Sequence, residues 1–434
     1  MDTPAWWQDV VDAVATYHHE HPDNLPGAVF GVETEADGTL IASVGAGWTH
    51  DTICEIGSMT KVFTATAILL ALEAHDLLDL DRPVYQLPGM EVYAADPLKR
   101  EIRIRHLLQH TAGLPNVQPY TDSPKALCNN PEGEPCTCRD EEDPDLGPTV
   151  PWTCYPGGTN ECIYVGGRCR PARTLTLDQV SHYIMQVYAP MRQPGLEYAY
   201  SPLHYIVGAR IVEHLSGQSL NRFLRDRLFD VVGMSNSFFI AQPPGDPRLD
   251  PWLDEGVTEA QRQRIPAVHL ITRDGKMPPE VAPGPDGAWD NLRRGWRFVY
   301  PDGGMYATVG DLLRYLRLLR DGGYQGGRQV LSPEIVRLLV EDQGHGHTMG
   351  FGYRRQTTPY GQGAGTLEHF GSKMTYLWYD PHPEEALLGV FLSQRLPNVA
   401  VNNNMAEGMQ VIFRVFVPKV KNAIYTVAPS SAST

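Results

Sequence analysis

The segment Gly57-Ser58-Met59-Thr60-Lys61 opens a long apolar run that reads as a helix from about 58 to 75, with Val62, Ala65, Leu69 and Leu72 at helical spacing. Residues three apart on a helix share a face, so a hydroxyl at 58 and an amine at 61 can meet. A serine hydroxyl is a weak nucleophile until a base takes its proton. A lysine with its ordinary pKa near 10.4 is protonated at neutral pH and cannot be that base. Burial beside a hydrogen-bonding network is expected to lower the Lys61 value by ~3 units. A helix start also brings the Ser58 backbone N–H to the nucleophile, where it can stabilise an oxyanion. Taken alone, Ser-x-x-Lys is also the pattern of a capping serine followed by a solvated lysine, so its surroundings must decide.

Those surroundings alternate strand and helix. A helix is expected over 5–19, then strands at 27–34 and 39–47 around the Asp37-Gly38 turn. IRIRHLLQHTAGLP (102–115) reads as a short helix stopped by Gly113 and Pro115. Helical patterns follow at 177–188, 202–216, 218–230, 309–320 and 332–341. Strand-like runs come at 366–371, 374–380 and 386–394, and an amphipathic helix near 402–416. Strands at both ends predict one sheet built from the two termini: a sheet-containing domain of 1–80 and 295–434, with a helical subdomain at 81–294. No internal repeat is visible.

The 434 residues have a globular composition, 42% hydrophobic and 20% charged, with a net charge of −15. No Lys/Arg cluster is present, which argues against nucleic-acid binding, since that requires a basic footprint on phosphate. No apolar run approaches the ~18 residues of a membrane span. MDTPAWWQDVVDAV has no basic segment followed by an apolar one, so no signal peptide is read there. Six of the seven cysteines (Cys128, Cys136, Cys138, Cys154, Cys162, Cys169) lie in a Pro/Gly-rich insert at about 116–175, while Cys54 stands apart. Without paired C-x-x-C spacing or an intervening His, the cluster reads as disulfides rather than a metal site, which points to an extracytoplasmic, oxidising compartment. His18-His19-Glu20-His21 reads as a solvated helix end. No metal site or cofactor is expected.

EIGSMTKVFTATAILLALEAHDLLDLDRPV, followed by IRIRHLLQHTAGLP, resembles the nucleophile helix and next segment of class C β-lactamases, D-aminopeptidases and family VIII carboxylesterases. The family's second motif, Tyr-x-Asn after Pro-Gly, is matched by PGLEYAYSPLHYIVG (194–208), with the tyrosine at Tyr200. Its third, Lys/His-x-Gly on a strand, is matched by His369-Phe370-Gly371. DGGMYATVGDLLRYLRLL and MGFGYR resemble further landmarks. The resemblance covers about 25–415 apart from the insert and part of 241–290. It implies a β-lactamase/transpeptidase-like α+β fold, with an antiparallel sheet flanked by helices. It also implies an acyl-enzyme on Ser58, acid–base work shared by Lys61 and Tyr200, an oxyanion hole from the N–H groups of Ser58 and Ser372, and substrate lined by His369 and Gly371. His106 and His110 lie in a segment that is structural in the family.

Three departures bear on substrate. Pro202 stands where the family has an Asn whose amide helps to hold the lysine; a proline suits the first turn of a helix capped by Ser201. SKMTYLWYD replaces a small, Gly-rich run and is expected to reshape the acyl pocket. The insert, with Trp152, Tyr155 and Tyr164, is placed to cover the cleft. These features favour a carboxylesterase or amidase/peptidase acting on a small-molecule or peptide-like ester or amide. The alternatives are an acyltransferase, a β-lactamase, or a slowly acylating penicillin-binding sensor. Neither the substrate nor the oligomeric state is legible.

Overall fold

Successive residues of a strand point to opposite sides of a sheet, so a strand that is apolar throughout needs cover on both faces. The computed structural model describes residues 3–116, 176–240, 257–270, 299–358, 362–382, 386–396 and 409–425, with four short strands between 137 and 171. Its elements in chain order begin with α1 (Ala5–Glu20), β1 (Ala28–Thr34), β2 (Gly38–Val44), β3 (Cys54–Glu55) and α2 (Thr60–Ala74). Next come α3 (Ile104–Leu108), α4 (Leu177–Val187), α5 (Pro202–Ser216), β4 (Phe238–Phe239), β5 (Met305–Ala307), α6 (Val309–Arg320) and α7 (Pro333–Val340). The last are β6 (Gly352–Tyr353), β7 (Leu367–Gly371), β8 (Thr375–Asp380), β9 (Leu387–Leu392) and α8 (Val417–Tyr425).

The main sheet has the order β6-β7-β8-β9-β1-β2 and is antiparallel throughout, joining strands from the two ends of the chain. Alternation along three strands then divides the core. Val29, Leu377, Leu388, Val390 and Leu392 face the cluster built on α2, α5 and α6. Ala28, Phe30, Val32, Tyr376, Trp378 and Phe391 face Trp7, Val10 and Val14 of α1 together with Phe416, Val417 and Val420. The amphipathic α1 buries those three residues on one stripe, whereas α2 is buried at every position from Thr60 to Leu72. A helix buried all round is a central one, and α2 runs through the middle of the larger core.

The terminal helix differs from expectation. Residues 401–408 lie outside the described part. Beyond them a π turn at Val411–Phe416 continues into α8, so the helix ends at Tyr425. The widened turn accommodates Pro418, which has no N–H to give to a regular helix. In the insert, Thr137–Cys138 pairs with Trp152–Thr153, and Cys162–Val165 with Arg168–Pro171. The side chains of the six clustered cysteines, and of Trp152, Tyr155 and Tyr164, lie outside the described residues. Cys54 is a buried thiol. Among the described residues no helix is long and apolar enough to cross a membrane.

Phe416 ties the terminal helix to the sheet, 5.2 Å from Phe30, 5.5 Å from Phe391 and 5.5 Å from Trp378 between ring centroids. Truncating a core aromatic removes its burial and leaves a cavity. Phe416→Ala is therefore expected to lower the unfolding free energy by about 3–5 kcal/mol, read from urea titrations, with Phe416→Leu intermediate.

Candidate active site

Ser58 sits in the 3-10 turn Gly57–Met59 that leads into α2, partly exposed at the helix start. One turn on, the fully buried Lys61 directs Nζ to Ser58 Oγ at 3.3 Å. Ser58 Oγ also lies 2.7 Å from the Tyr200 hydroxyl, across 142 residues of chain. The structure thus brings together the three groups named for acid–base and nucleophilic work.

Tyr200 is held from two sides. Its strand-like leader is tied to the segment after α3 by Ala199 N–H to His110 O at 2.7 Å and Gly195 N–H to Thr111 O at 2.8 Å. Its ring packs on His110, 4.6 Å between centroids. Directly after it, Ser201 caps α5 through Leu203 N–H, with Pro202 in the first turn. The Ser201 N–H donates to His110 Nδ1 at 3.2 Å, which makes that nitrogen an acceptor. His204 Nδ1, 3.1 Å away, must then carry the donated hydrogen, leaving a buried acceptor at Nε2. His110 packs on Tyr200 and accepts the Ser201 N–H, and His204 is a partner that sequence reasoning missed.

The oxyanion side rests on two close approaches. A β-carbon at Gly371 would lie 2.3 Å from Ile56 O and 3.1 Å from Ser58 N. One at Gly57, whose φ is +57°, would lie 3.1 Å from Ser372 N. Glycine at both positions lets β7 run against the nucleophile turn, which brings the Ser58 and Ser372 amides side by side. Thr375 Oγ1 donates to Ile56 O at 2.8 Å, and Lys373 forms a buried ion pair with Glu55 that includes the Tyr306 hydroxyl at 3.3 Å. Of the bulky run after Gly371, Lys373 and Thr375 clamp the turn, while Tyr376 and Trp378 pack on the far face of the sheet.

His369 lines the cleft on β7, with Nδ1 3.0 Å from Phe370 O. Poor solvation and the nearby Lys61 charge push its pKa down to about 3. His347 (about 4), His204 (about 3) and His110 are also pushed down, chiefly by burial, so the cleft's imidazoles are neutral.

Lys61 behaves differently from expectation. Burial alone would depress it, but the oxygens of Tyr200 and Asp302 outweigh burial and hold it above its ordinary value. Its ammonium donates to Asp302 O at 2.6 Å and approaches Asp302 Oδ2 at 3.3 Å. Asp302 was missed in the sequence: it lies 241 residues from Lys61, and nothing in DGGMYATVGDLL aims its carboxylate at α2. Among the described residues, no group of three His, Cys, Asp or Glu could hold a metal ion.

The Beta-lactamase family profile matches residues 14–410, and the chain belongs to that family. It has the β-lactamase/transpeptidase-like fold, and with the family it is a serine hydrolase in the broad sense that includes penicillin-binding proteins. Penicillin-binding protein 4 of Amycolatopsis lactamdurans is 29% identical over 342 residues, covering 77% of this chain and 69% of the relative. A putative D-alanyl-D-alanine carboxypeptidase of Escherichia coli K12 is 22% identical over 75% of this chain; the chain spans 64% of that protein, just under two thirds. The solved structure of EstCE1, described as a hydrolase with promiscuous acyltransferase activity, shares the fold at TM-score 0.64 and 18% identity, over 95% of this chain and 98% of its own.

Two outcomes test this architecture. Lys373→Met leaves the Glu55 carboxylate buried and unpaired, and is expected to cost about 3–5 kcal/mol of stability in chemical denaturation, most of it restored by adding Glu55→Gln. The buried histidines are neutral when folded but charge near pH 6.5 when unfolded. Their contribution is therefore complete above pH 6.5 and is lost as pH falls toward 4. The melting temperature should fall over that window, and less steeply in His204→Asn.

Proposed function

We propose that this chain cleaves an ester or amide through an acyl-enzyme on Ser58, as a carboxylesterase or amidase/peptidase in preference to a β-lactamase. The observation that carries the reading is the 2.7 Å contact between Ser58 Oγ and the Tyr200 hydroxyl, with Lys61 Nζ 3.3 Å from the same oxygen. Ser58 Oγ attacks the carbonyl carbon and its proton passes to the Tyr200 oxygen, with the Lys61 ammonium stabilising the negative charge that this oxygen carries beforehand. The negative charge that develops on the carbonyl oxygen is met by the Ser58 and Ser372 amides. Collapse expels an alcohol or amine, which leaves with that proton. Water then attacks the acyl ester, the Tyr200 oxygen again takes a proton and returns it to Ser58 Oγ, and the acid is released.

The esterase and amidase preference has three supports. Pro202 lacks the side-chain amide of the family's asparagine, which weighs against a β-lactamase. His369, neutral, supplies no cation for a substrate carboxylate. Beside the site, Phe370 and Tyr198 are exposed at 43% and 41%, surfaces suited to an apolar acyl group. The carboxypeptidase relative keeps amide cleavage within the reading.

Short p-nitrophenyl esters, p-nitroanilide peptides and nitrocefin, each given to the wild type and to Ser58→Ala, test the proposal. Ester or anilide turnover should fall by about 10⁴-fold or more in Ser58→Ala and by about 10²–10⁴-fold in Tyr200→Phe. Full activity in Ser58→Ala would overturn the mechanism, and nitrocefin turned over faster than the esters would overturn the preference. Acylation seen by mass spectrometry without turnover would instead support a sensor, and ester products formed with added alcohol would support an acyltransferase.

A further inference from the structure

We propose that Asp302 is a positioning residue for this reaction: its carboxylate and its main-chain carbonyl together hold the Lys61 ammonium against Ser58, the task that an Asn amide at position 202 would otherwise perform. The proposal rests on the reading of Ser58 as nucleophile.

An ammonium has three hydrogens to donate. Lys61 Nζ has three oxygens in reach: Asp302 O at 2.6 Å, Asp302 Oδ2 at 3.3 Å and Ser58 Oγ at 3.3 Å. Two of these acceptors belong to one residue, so the orientation of the amine toward the nucleophile depends on where Asp302 sits. That position is fixed by α2 itself. Thr64 Oγ1 donates to Pro301 O at 2.6 Å, and Thr60 Oγ1 accepts the Met305 N–H at 3.1 Å. The two threonines bracket Lys61 on the helix, and the loop they hold returns the Asp302 carboxylate to the lysine between them. Asp302 is 3% exposed, so its charge has little water to lean on and depends on this pairing.

Lys61 is faced by Asp302, with Tyr300 hydrogen-bonded to that carboxylate, from the loop before β5. Tyr200, Tyr205 and His204 face it from α5 and its leader, His110 from beyond α3, and His369 from β7. The histidines are neutral, and Asp302 is the acidic group facing the lysine, its carboxyl raised by burial and drawn down by the Lys61 ammonium beside it. The Asp302 carboxylate, with the Tyr200 oxygen, therefore makes Lys61 keep its proton to higher pH.

Asp302→Asn keeps an acceptor and removes the charge. The acid limb of kcat/KM for a p-nitrophenyl ester is expected to move down by about one pH unit or more, with KM unchanged. Asp302→Ala removes the side-chain acceptor as well, and kcat is expected to fall by about tenfold or more; adding Pro202→Asn should restore part of that loss. A merely structural residue would lower the melting temperature and leave the acid limb in place. An unmoved limb in Asp302→Asn overturns the proposal, even if Asp302→Ala fails to fold. A folded Asp302→Ala with wild-type kcat also overturns it, and no recovery on adding Pro202→Asn overturns the equivalence with an amide at 202. A mass-spectrometric pulse with the same ester separates the two levels. No Ser58-dependent acyl adduct on the wild type sinks the underlying mechanism, whereas a normal adduct with an unmoved limb sinks only the role of Asp302.

Discussion

A fully buried ammonium is the constraint around which this molecule is arranged. Lys61 lies within a helix whose every residue from Thr60 to Leu72 is out of solvent. An ion in that position costs several kcal/mol unless oxygen atoms surround it. The oxygens come from Ser58 one turn before it and from two remote parts of the chain, Tyr200 ahead of α5 and Asp302 in the loop before β5. Bringing them to one nitrogen ties the sheet-bearing ends of the sequence to its helical middle. The small polar residues on α2 have a positional logic as well, since Thr60 and Thr64 hold the loop that carries Asp302.

The rest of the site divides its electrostatics in two. Around the nucleophile are groups that carry or exchange charge. Farther along the cleft, His110, His204, His347 and His369 are kept neutral by burial, helped at all but His347 by the lysine's own charge. Neutral imidazoles can pack against aromatic rings and accept hydrogen bonds without competing for the anion beside Lys61. The result is a cleft wall that orients Tyr200 and leaves its surface apolar, in keeping with an uncharged ester or amide near the scissile bond.

Much of this was legible in the sequence because it is local. Period-two and helical spacing mark most strands and helices to within a few residues, the terminal helix excepted, and the three-residue step from Ser58 to Lys61 already places both on one face. Tyr200 and His369 were recognisable through a family pattern, and the structure sets Tyr200 on Ser58 and His369 in the cleft wall. Where the reading failed, the cause was a contact between distant segments. The bulk of Tyr376 and Trp378 looked like pocket lining, but strand alternation sends both to the far face, onto α1 and Phe416. The expected fall in the Lys61 pKa followed from burial beside a hydrogen-bonding network and omitted a carboxylate 241 residues away.

The sequence by itself therefore determined the sheet and helix elements, the placing of Ser58 and Lys61 on one face, and the absence of an amide at Pro202. Only the tertiary structure decided what charge the lysine bears, which residue holds it in place of that amide, and which histidines support the tyrosine. The physical reason is that helical and strand periodicity are properties of neighbouring residues. The state of a buried ionisable group depends on every charge and dipole within a few ångströms, and chain folding alone chooses those.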